Sequence, residues 1–247
     1  MSCAKGRAEP GGEVVVAAAA SLRGVLPAIA SSYEKTHTGM RVTMTFGASG
    51  ELAQQVSAGA PVDVVVFAGG APVEDLIRQG LVDRSSRYVI ATNRLVLIGP
   101  KGSEPGDPSE KRKVTFATLA LIPTDAKIAV GDPRSVPAGQ YAKVALERLH
   151  EWDALEGRMV YASDVSAALA YARRGEVLAA IVYETELHGI SDVDVLDTLA
   201  DGLAPRPEVV AAIASGSHTK EAALGFLRYL EGAETKGALL AYGFGPP

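Results

Sequence analysis

The sequence contains very little cysteine and no long apolar segment. Its 247 residues include one cysteine, Cys3, which excludes an internal disulfide and a metal site built from cysteines. No apolar run approaches the ~20 residues that a helix needs to cross a bilayer. Basic residues are outnumbered by acidic ones, 24 to 29, so the formal net charge is −5. This balance argues against nucleic acid or an acidic membrane surface as the main partner.

The common sequence signatures of catalysis are absent as well. There is no Gly-Lys-Ser/Thr phosphate loop and no Gly-x-Ser-x-Gly nucleophile motif. Tyr183 could serve as a general acid, but two other interpretations are equally open. It could contact a ligand, or it could be an ordinary buried tyrosine that makes one hydrogen bond. We therefore predict a protein that is not an enzyme and uses no cofactor. No pair at metal-ligand spacing occurs among the four histidines, which are His37, His150, His188 and His218.

Hydrophobic residues make up 47% of the sequence, enough for a substantial core, and they follow a regular pattern. Apolar runs with the length of buried strands include Val14–Ala20, Asp63–Ala68 and Leu178–Tyr183, and segments of helical periodicity alternate with such runs. This alternation predicts an α/β fold with parallel sheets that helices cover on both faces. In open parallel sheets, ligands bind beyond the carboxyl ends of the strands, so functional residues are expected there.

One strand-to-helix turn has the features of an anion site. The apolar run Ile128–Val130 ends at Gly131, Pro133 and Pro137 then keep the chain extended, and a helical pattern begins at Ala138. The first turn of a helix has N–H groups without intrahelical partners and carries the positive end of the helix dipole. A small residue there lets an anion approach the backbone, although a packing role for this turn stays open.

Comparable turns follow other predicted strands. Ser21 comes after the first strand, and serine is a favoured N-cap, so we predict that Ser21 opens the next helix. Ser49 lies among small residues before a helix predicted from Glu51, and Asp164 is predicted to cap a helix that begins at Val165. The candidate ligand-binding residues at strand ends and helix starts are therefore Ser21, Ser49, Ala138, Val165 and Tyr183.

Six groups of residues carry a resemblance to a known family. They are Ala18–Leu22, Phe46–Ser49, Ala58–Asp63, Ala129–Pro133 with Val136–Gly139, Ser163–Val165 and Ile181–Tyr183. In these residues the chain resembles the substrate-binding proteins of bacterial molybdate ABC transporters, and the resemblance covers about Val14 to Phe244. It implies a type II periplasmic-binding-protein fold, in which two α/β lobes hold the ligand in the cleft between them.

Two apparent crossings in the sequence predict how the chain divides between the lobes. Lobe one is expected to contain residues 13–92 and 202–247, and lobe two residues 93–201. The extended segment Tyr88–Ile98 and the region near Pro205 are then the two crossings between the lobes. Residues 1–12 are polar and rich in glycine and proline, which predicts a flexible leader. Within it, Cys3 is either the acylated cysteine of a lipoprotein or an ordinary free thiol.

By resemblance, the bound oxyanion contacts the hydroxyls of Ser21, Ser49 and Tyr183 and the backbone N–H groups of Ala138 and Val165. Molybdenum is then held only within the oxyanion, with no protein atom bound to the metal. The chemistry of the residues agrees, since a fully deprotonated dianion only accepts hydrogen bonds and all five groups can donate them. Hydrogen phosphate, which must also donate a proton, is disfavoured by such a site.

The function implied by the resemblance is high-affinity, extracytoplasmic binding of molybdate, and also of tungstate. The expected partner is the membrane permease of an ABC transporter, and we expect a monomer in the periplasm or outside the cytoplasm, with Cys3 as the candidate lipid anchor. A binding protein for sulfate or another tetrahedral oxyanion is the alternative. An enzyme or a ligand-sensing regulator with the same fold is a further hypothesis, because fold does not determine function.

Overall fold

The structure, a computed structural model, describes residues 12–102 and 113–247. Cys3 and the predicted leader up to residue 11 lie outside these ranges, and Gly12 already belongs to the first strand. The strands are β1 (Gly12–Ala19), β2 (Met40–Gly47), β3 (Val64–Ala68), β4 (Tyr88–Thr92), β5 (Leu95–Pro100), β6 (Ile128–Gly131), β7 (Met159–Ala162), β8 (Ala179–Tyr183), β9 (Val193–Thr198) and β10 (Glu208–Ile213).

Helices connect most of these strands and cover the sheets. The α-helices are α1 (Leu26–Thr36), α2 (Ser49–Ser57), α3 (Gly70–Arg78), α4 (Pro137–Arg148), α5 (Trp152–Leu155), α6 (Val165–Arg173), α7 (Lys220–Glu231) and α8 (Ala233–Tyr242). Short 3₁₀ segments occupy Ala20–Leu22, Arg84–Ser86, Phe116–Leu121, Glu156–Arg158 and Glu184–Leu187.

The strands form two five-stranded sheets, with the orders β2-β1-β3-β10-β4 and β7-β6-β8-β5-β9. Two residues, Asn93 and Arg94, separate β4 in the first sheet from β5 in the second. The chain returns between the end of β9 at Thr198 and the start of β10 at Glu208. The expected two-lobed α/β architecture is therefore confirmed.

The expectation that the sheets are purely parallel is wrong for two strands. β10 runs antiparallel to β3 and β4, and β5 runs antiparallel to β8 and β9. A parallel connection needs a crossover of a dozen or more residues, usually through a helix. β5 and β10 instead enter their sheets directly from the other lobe, without a crossover helix before them, so both sheets are mixed.

Buried side chains from both lobes join in one continuous core cluster, which contains Val66 in β3 and Val182 in β8. A second, smaller cluster lies on the other face of the first sheet and includes Val65 and Phe67. Successive residues of a strand point to opposite faces, so the uninterrupted apolar run of β3 supplies both clusters. Every residue of β3 and of β8 is buried, as expected for central strands covered on both faces.

One predicted helix start is wrong and another is confirmed. Ser21 lies inside the 3₁₀ segment and makes no N-cap, because α1 begins only at Leu26, directly before Pro27. Proline is favoured in the first turn of a helix, where its missing N–H has no partner to lose, and it thereby determines where α1 begins. Asp164 does cap α6, since its carboxylate accepts a hydrogen bond from the N–H of Ala167 at 2.7 Å.

Candidate functional site

The five candidate residues all lie at strand ends or helix starts, and all are buried. Ser21 is in the turn that follows β1, Ser49 and Val165 are the first residues of α2 and α6, Ala138 is the second residue of α4, and Tyr183 ends β8. None has more than 4% of its surface exposed. These side chains therefore lie inside the molecule, although three of them carry a hydroxyl group.

Contacts between the lobes bring the elements that carry these residues together. The N–H of Gly50, next to Ser49, donates to the carbonyl oxygen of Ser135 at 3.0 Å, two residues before α4 begins. The turn that contains Ser21 packs against α6, which starts at Val165. The first lobe thus contacts α6 and the turn that leads into α4, the two helices of the second lobe that supply predicted backbone donors.

Gly69, at the start of α3, continues this contact. A β-carbon placed on Gly69 would lie 3.0 Å from Cβ of Pro137 and 3.1 Å from the hydroxyl oxygen of Tyr141, both in α4. Tyr141 is also close enough to Tyr183 to raise the pKa of the Tyr183 hydroxyl. The end of β8 therefore lies beside α4, and the structure places the five candidates around one region between the lobes.

Two of the three hydroxyls in this region have no protein partner. Among the residues that the structure describes, Ser21 Oγ and Tyr183 OH are fully buried and make no hydrogen bond. An unsatisfied buried hydroxyl costs roughly 1–3 kcal/mol, so such groups are rare unless a ligand or water completes them. Both hydroxyls can donate to a buried acceptor that enters between the lobes.

The third hydroxyl is oriented by the backbone. Ser49 Oγ accepts a hydrogen bond from the N–H of Ala68, at the end of β3, with a distance of 3.0 Å. A serine hydroxyl has a single proton, and that proton is still available when the oxygen accepts. The end of β3 therefore orients the Ser49 hydroxyl so that it can donate its own proton to a ligand.

The electrostatics of the region keep its tyrosine protonated. Burial raises the pKa of Tyr183 well above its usual value of 10, and Tyr141 and Glu186 raise it further. Burial also raises the pKa of Tyr141, to about 12, with a smaller contribution from Glu208. At neutral pH both tyrosines therefore carry their hydroxyl protons and present neutral donors.

A partly buried carboxyl group, that of Glu186, lies nearby. Burial raises the pKa of Glu186 to about 6, whereas the hydrogen bond that Ser166 Oγ donates at 2.8 Å opposes this rise. Asp164 raises the pKa of Glu186 as well, and Arg23 in the first lobe lowers it. The Glu186 carboxylate is thus already engaged by a hydroxyl of its own lobe.

The helix starts add backbone donors without a formal charge. Val136, which precedes α4, and Ala48, which precedes α2, make no capping hydrogen bond with their side chains. The first N–H groups of these helices therefore keep the partial positive charge of the helix dipole. In residues 12–102 and 113–247, no group of three or more His, Cys, Asp or Glu side chains could hold a metal ion. The region suits an anion rather than a cation.

Sequence reasoning missed three residues of this region: Gly50, Tyr141 and Glu186. Tyr141 falls on the apolar face of its helical pattern, and nothing local distinguishes it from a core residue. Gly50 resembles any small residue at a helix start. Their positions depend on contacts between segments far apart in sequence, which no local pattern reports.

Comparisons with known proteins identify the family and the fold. The family model for bacterial extracellular solute-binding proteins matches residues 14–245. The molybdate-binding protein ModA of Escherichia coli is 33% identical over 94% of this chain and 89% of its own length. ModA of Haemophilus influenzae is 34% identical over the same shares. The structure of the periplasmic molybdate-binding protein of Azotobacter vinelandii superposes with a TM-score of 0.81 at 23% identity, covering 95% of this chain and 99% of that one.

Proposed function

Because this chain belongs to the bacterial extracellular solute-binding protein family, we propose that it binds molybdate between its two lobes. The proposal includes tungstate, an oxyanion of the same shape and charge, and delivery of the ligand to the membrane permease of an ABC transporter. Relatives named as molybdate-binding proteins share a third of their residues with this chain over nearly its full length. The fold supports a binding role, since family members of this type hold a solute rather than transform it.

The observation that carries the proposal is the pair of unsatisfied hydroxyls, Ser21 Oγ and Tyr183 OH. A fully deprotonated tetrahedral dianion offers only acceptors, and each hydroxyl requires one. Ser49 adds a third hydroxyl donor, and the N–H groups of Ala138 and Val165 complete the proposed set. Hydrogen bonds to a charged acceptor are roughly twice as strong as neutral ones, so neutral donors suffice to hold the ligand.

The absence of charge at these five positions favours one protonation state of the ligand. Hydrogen phosphate must donate its proton, and the carboxylate of Glu186 is already engaged by Ser166. Molybdate and tungstate are fully deprotonated near neutral pH, so they leave no donor unpaired. Sulfate has the same hydrogen-bonding character and differs in size, which makes it the ligand to test against molybdate.

The remaining parts of the proposal concern the whole chain. We assign residues 13–92 and 202–247 to lobe one and residues 93–201 to lobe two, with the ligand between them. The protein acts outside the cytoplasm as a monomer, performs no catalysis, and needs no cofactor besides its cargo. Among the described residues no helix is both long and apolar enough to pass through a bilayer. Attachment through an acylated Cys3 stays a prediction, which mass spectrometry of the native protein tests.

Calorimetric titration of the purified protein with molybdate, tungstate, sulfate and phosphate tests the function directly. We expect molybdate and tungstate to bind at one site per chain. Sulfate should bind at least tenfold more weakly, and phosphate should give no measurable heat of binding. Competition between molybdate and tungstate should show that they share the site. Tight binding of sulfate without binding of molybdate would support the alternative oxyanion function instead.

A further inference from the structure

Gly50 lies where the backbones of the two lobes are in direct contact. It is the second residue of α2, and its N–H donates to the carbonyl oxygen of Ser135 at 3.0 Å. Ser135 belongs to the turn that leads into α4, so this hydrogen bond joins Ser49 on one side to Ala138 on the other. The contact therefore lies directly beside the proposed ligand.

No side chain fits at this position while the lobes are in contact. A β-carbon on Gly50 would lie 2.4 Å from the carbonyl oxygen of Ser135 and 3.0 Å from both its carbonyl carbon and its Cα. These are backbone atoms, which cannot rotate away as the end of a flexible side chain can. An alanine here would therefore push the turn before α4 away from α2.

The local conformation of Gly50 does not explain why a glycine is present. Gly50 is helical, and it is not among the glycines with positive φ. A glycine inside a helix is less stable than alanine by roughly 0.5–1 kcal/mol. Alanine at this position would stabilise the helix more than glycine does. The reason for glycine therefore lies in the contact with the other lobe.

We propose that Gly50 is a positioning residue that determines how far the lobes close on the ligand. Its missing side chain and its N–H bond to Ser135 set the spacing between the donors of α2 and those of α4. The inference rests on the proposed function, because it assumes a ligand held between these helices. Gly50 itself need not touch that ligand.

The expected effect follows from the equilibrium between open and closed forms. When only the closed form holds the ligand, the apparent dissociation constant rises as the closed fraction falls. A substitution that makes closure tenfold less favourable therefore weakens binding about tenfold. The ligand also leaves faster, since the closed form is the one that retains it.

The test compares Gly50→Ala with Gly237→Ala. Gly237 lies inside α8, and a β-carbon there would meet no atom within 4 Å, so the control makes the same chemical change on a free helix face. Three measurements are made on each variant and the parent: unfolding without ligand, molybdate affinity and release rate, and the radius of gyration from X-ray scattering with saturating molybdate.

We expect both variants to be at least as stable as the parent without ligand, because alanine favours the helix. Gly50→Ala should bind molybdate about tenfold more weakly or worse, release it faster, and scatter as a more open particle when loaded. Gly237→Ala should match the parent in all three ligand-dependent measurements. If Gly50→Ala instead loses stability without ligand, its role is in folding and the inference is overturned.

The outcomes for the inference and for the proposed function are separable. A parent protein that does not bind molybdate overturns the function. A parent that binds molybdate, beside a Gly50→Ala variant with equal affinity and equal scattering, overturns only the role of Gly50.

Discussion

At the scale of single residues, the two unsatisfied hydroxyls give the sharpest prediction. Ser21→Ala and Tyr183→Phe each remove one donor to a charged ligand, a hydrogen bond that contributes roughly 1.5–3 kcal/mol. Molybdate affinity measured by calorimetry should therefore fall roughly ten- to a hundredfold for each variant. Stability without ligand should stay the same or rise, because neither hydroxyl has a protein partner to lose.

Ser217 provides the matched control for Ser21. It is also a buried serine, but its Oγ donates to Asp63 at 2.6 Å, at the opposite end of β3 from Ser49. Ser217→Ala should lower the free energy of unfolding by about 1–3 kcal/mol and leave molybdate affinity unchanged. The assigned site is wrong if Ser21→Ala and Tyr183→Phe bind molybdate as tightly as the parent.

Glu186 predicts a dependence of stability on pH. Burial raises its pKa from 4.5 to about 6 in the folded protein, so the folded state holds the proton more tightly than the unfolded state. Stability from this group is therefore greatest below pH 4.5, falls as the pH rises towards 6, and changes no further above that. The loss is at most ~2 kcal/mol, since one pKa unit corresponds to about 1.4 kcal/mol.

Glu186→Gln isolates this effect in denaturant unfolding curves at several pH values. Glutamine still accepts the hydrogen bond from Ser166, so the variant should be more stable than the parent at pH 7 and equal to it near pH 4.5. Glu176 serves as the control, because it is exposed and a hydrogen bond from Arg174 lowers its pKa. A Glu176→Gln variant that gains the same stability at pH 7 would contradict the prediction.

At the scale of secondary-structure elements, the sequence predicts what local chemistry determines. The buried strands β3 and β8 are recognisable because they are uninterrupted apolar runs. Helix α4 is recognisable from its helical pattern, although it begins at Pro137, which was expected to be extended, because proline is favoured in a first turn. Helix α6 is recognisable because Asp164 can cap it. These same elements carry Ala138, Val165 and Tyr183, so that part of the candidate site follows from local pattern together with the family resemblance.

Other features depend on contacts that no local pattern reports. The directions of β5 and β10 follow from where the chain crosses between sheets, not from their composition. Ser21 has the residue type of an N-cap, yet α1 begins four residues later than such a cap would place it, directly before Pro27. The contacts of Gly50 and Tyr141 lie between the lobes, and Glu186 is influenced by Arg23 of the other lobe. Such features need the assembled molecule.

At the scale of the whole molecule, ligand binding should appear as stabilisation. Free molybdate at 100 times its dissociation constant adds about 2.7 kcal/mol, provided that it binds only the folded form. For a chain of this size that corresponds to a rise in melting temperature of roughly 5–10 °C, measurable by calorimetry or fluorescence. Ser21→Ala and Tyr183→Phe should show smaller rises at the same concentration. An equal or larger rise with sulfate would instead favour the alternative ligand.

The place of β10 in the first sheet has a consequence for synthesis on the ribosome. β10 lies between β3 and β4, so these two strands have no hydrogen-bonded neighbour in common until residues 208–213 have been made. Every strand of the second sheet, by contrast, is complete by residue 198. A growing chain can therefore finish the later sheet first, while the first sheet has only β1, β2 and β3 paired and cannot add β4 until β10 emerges.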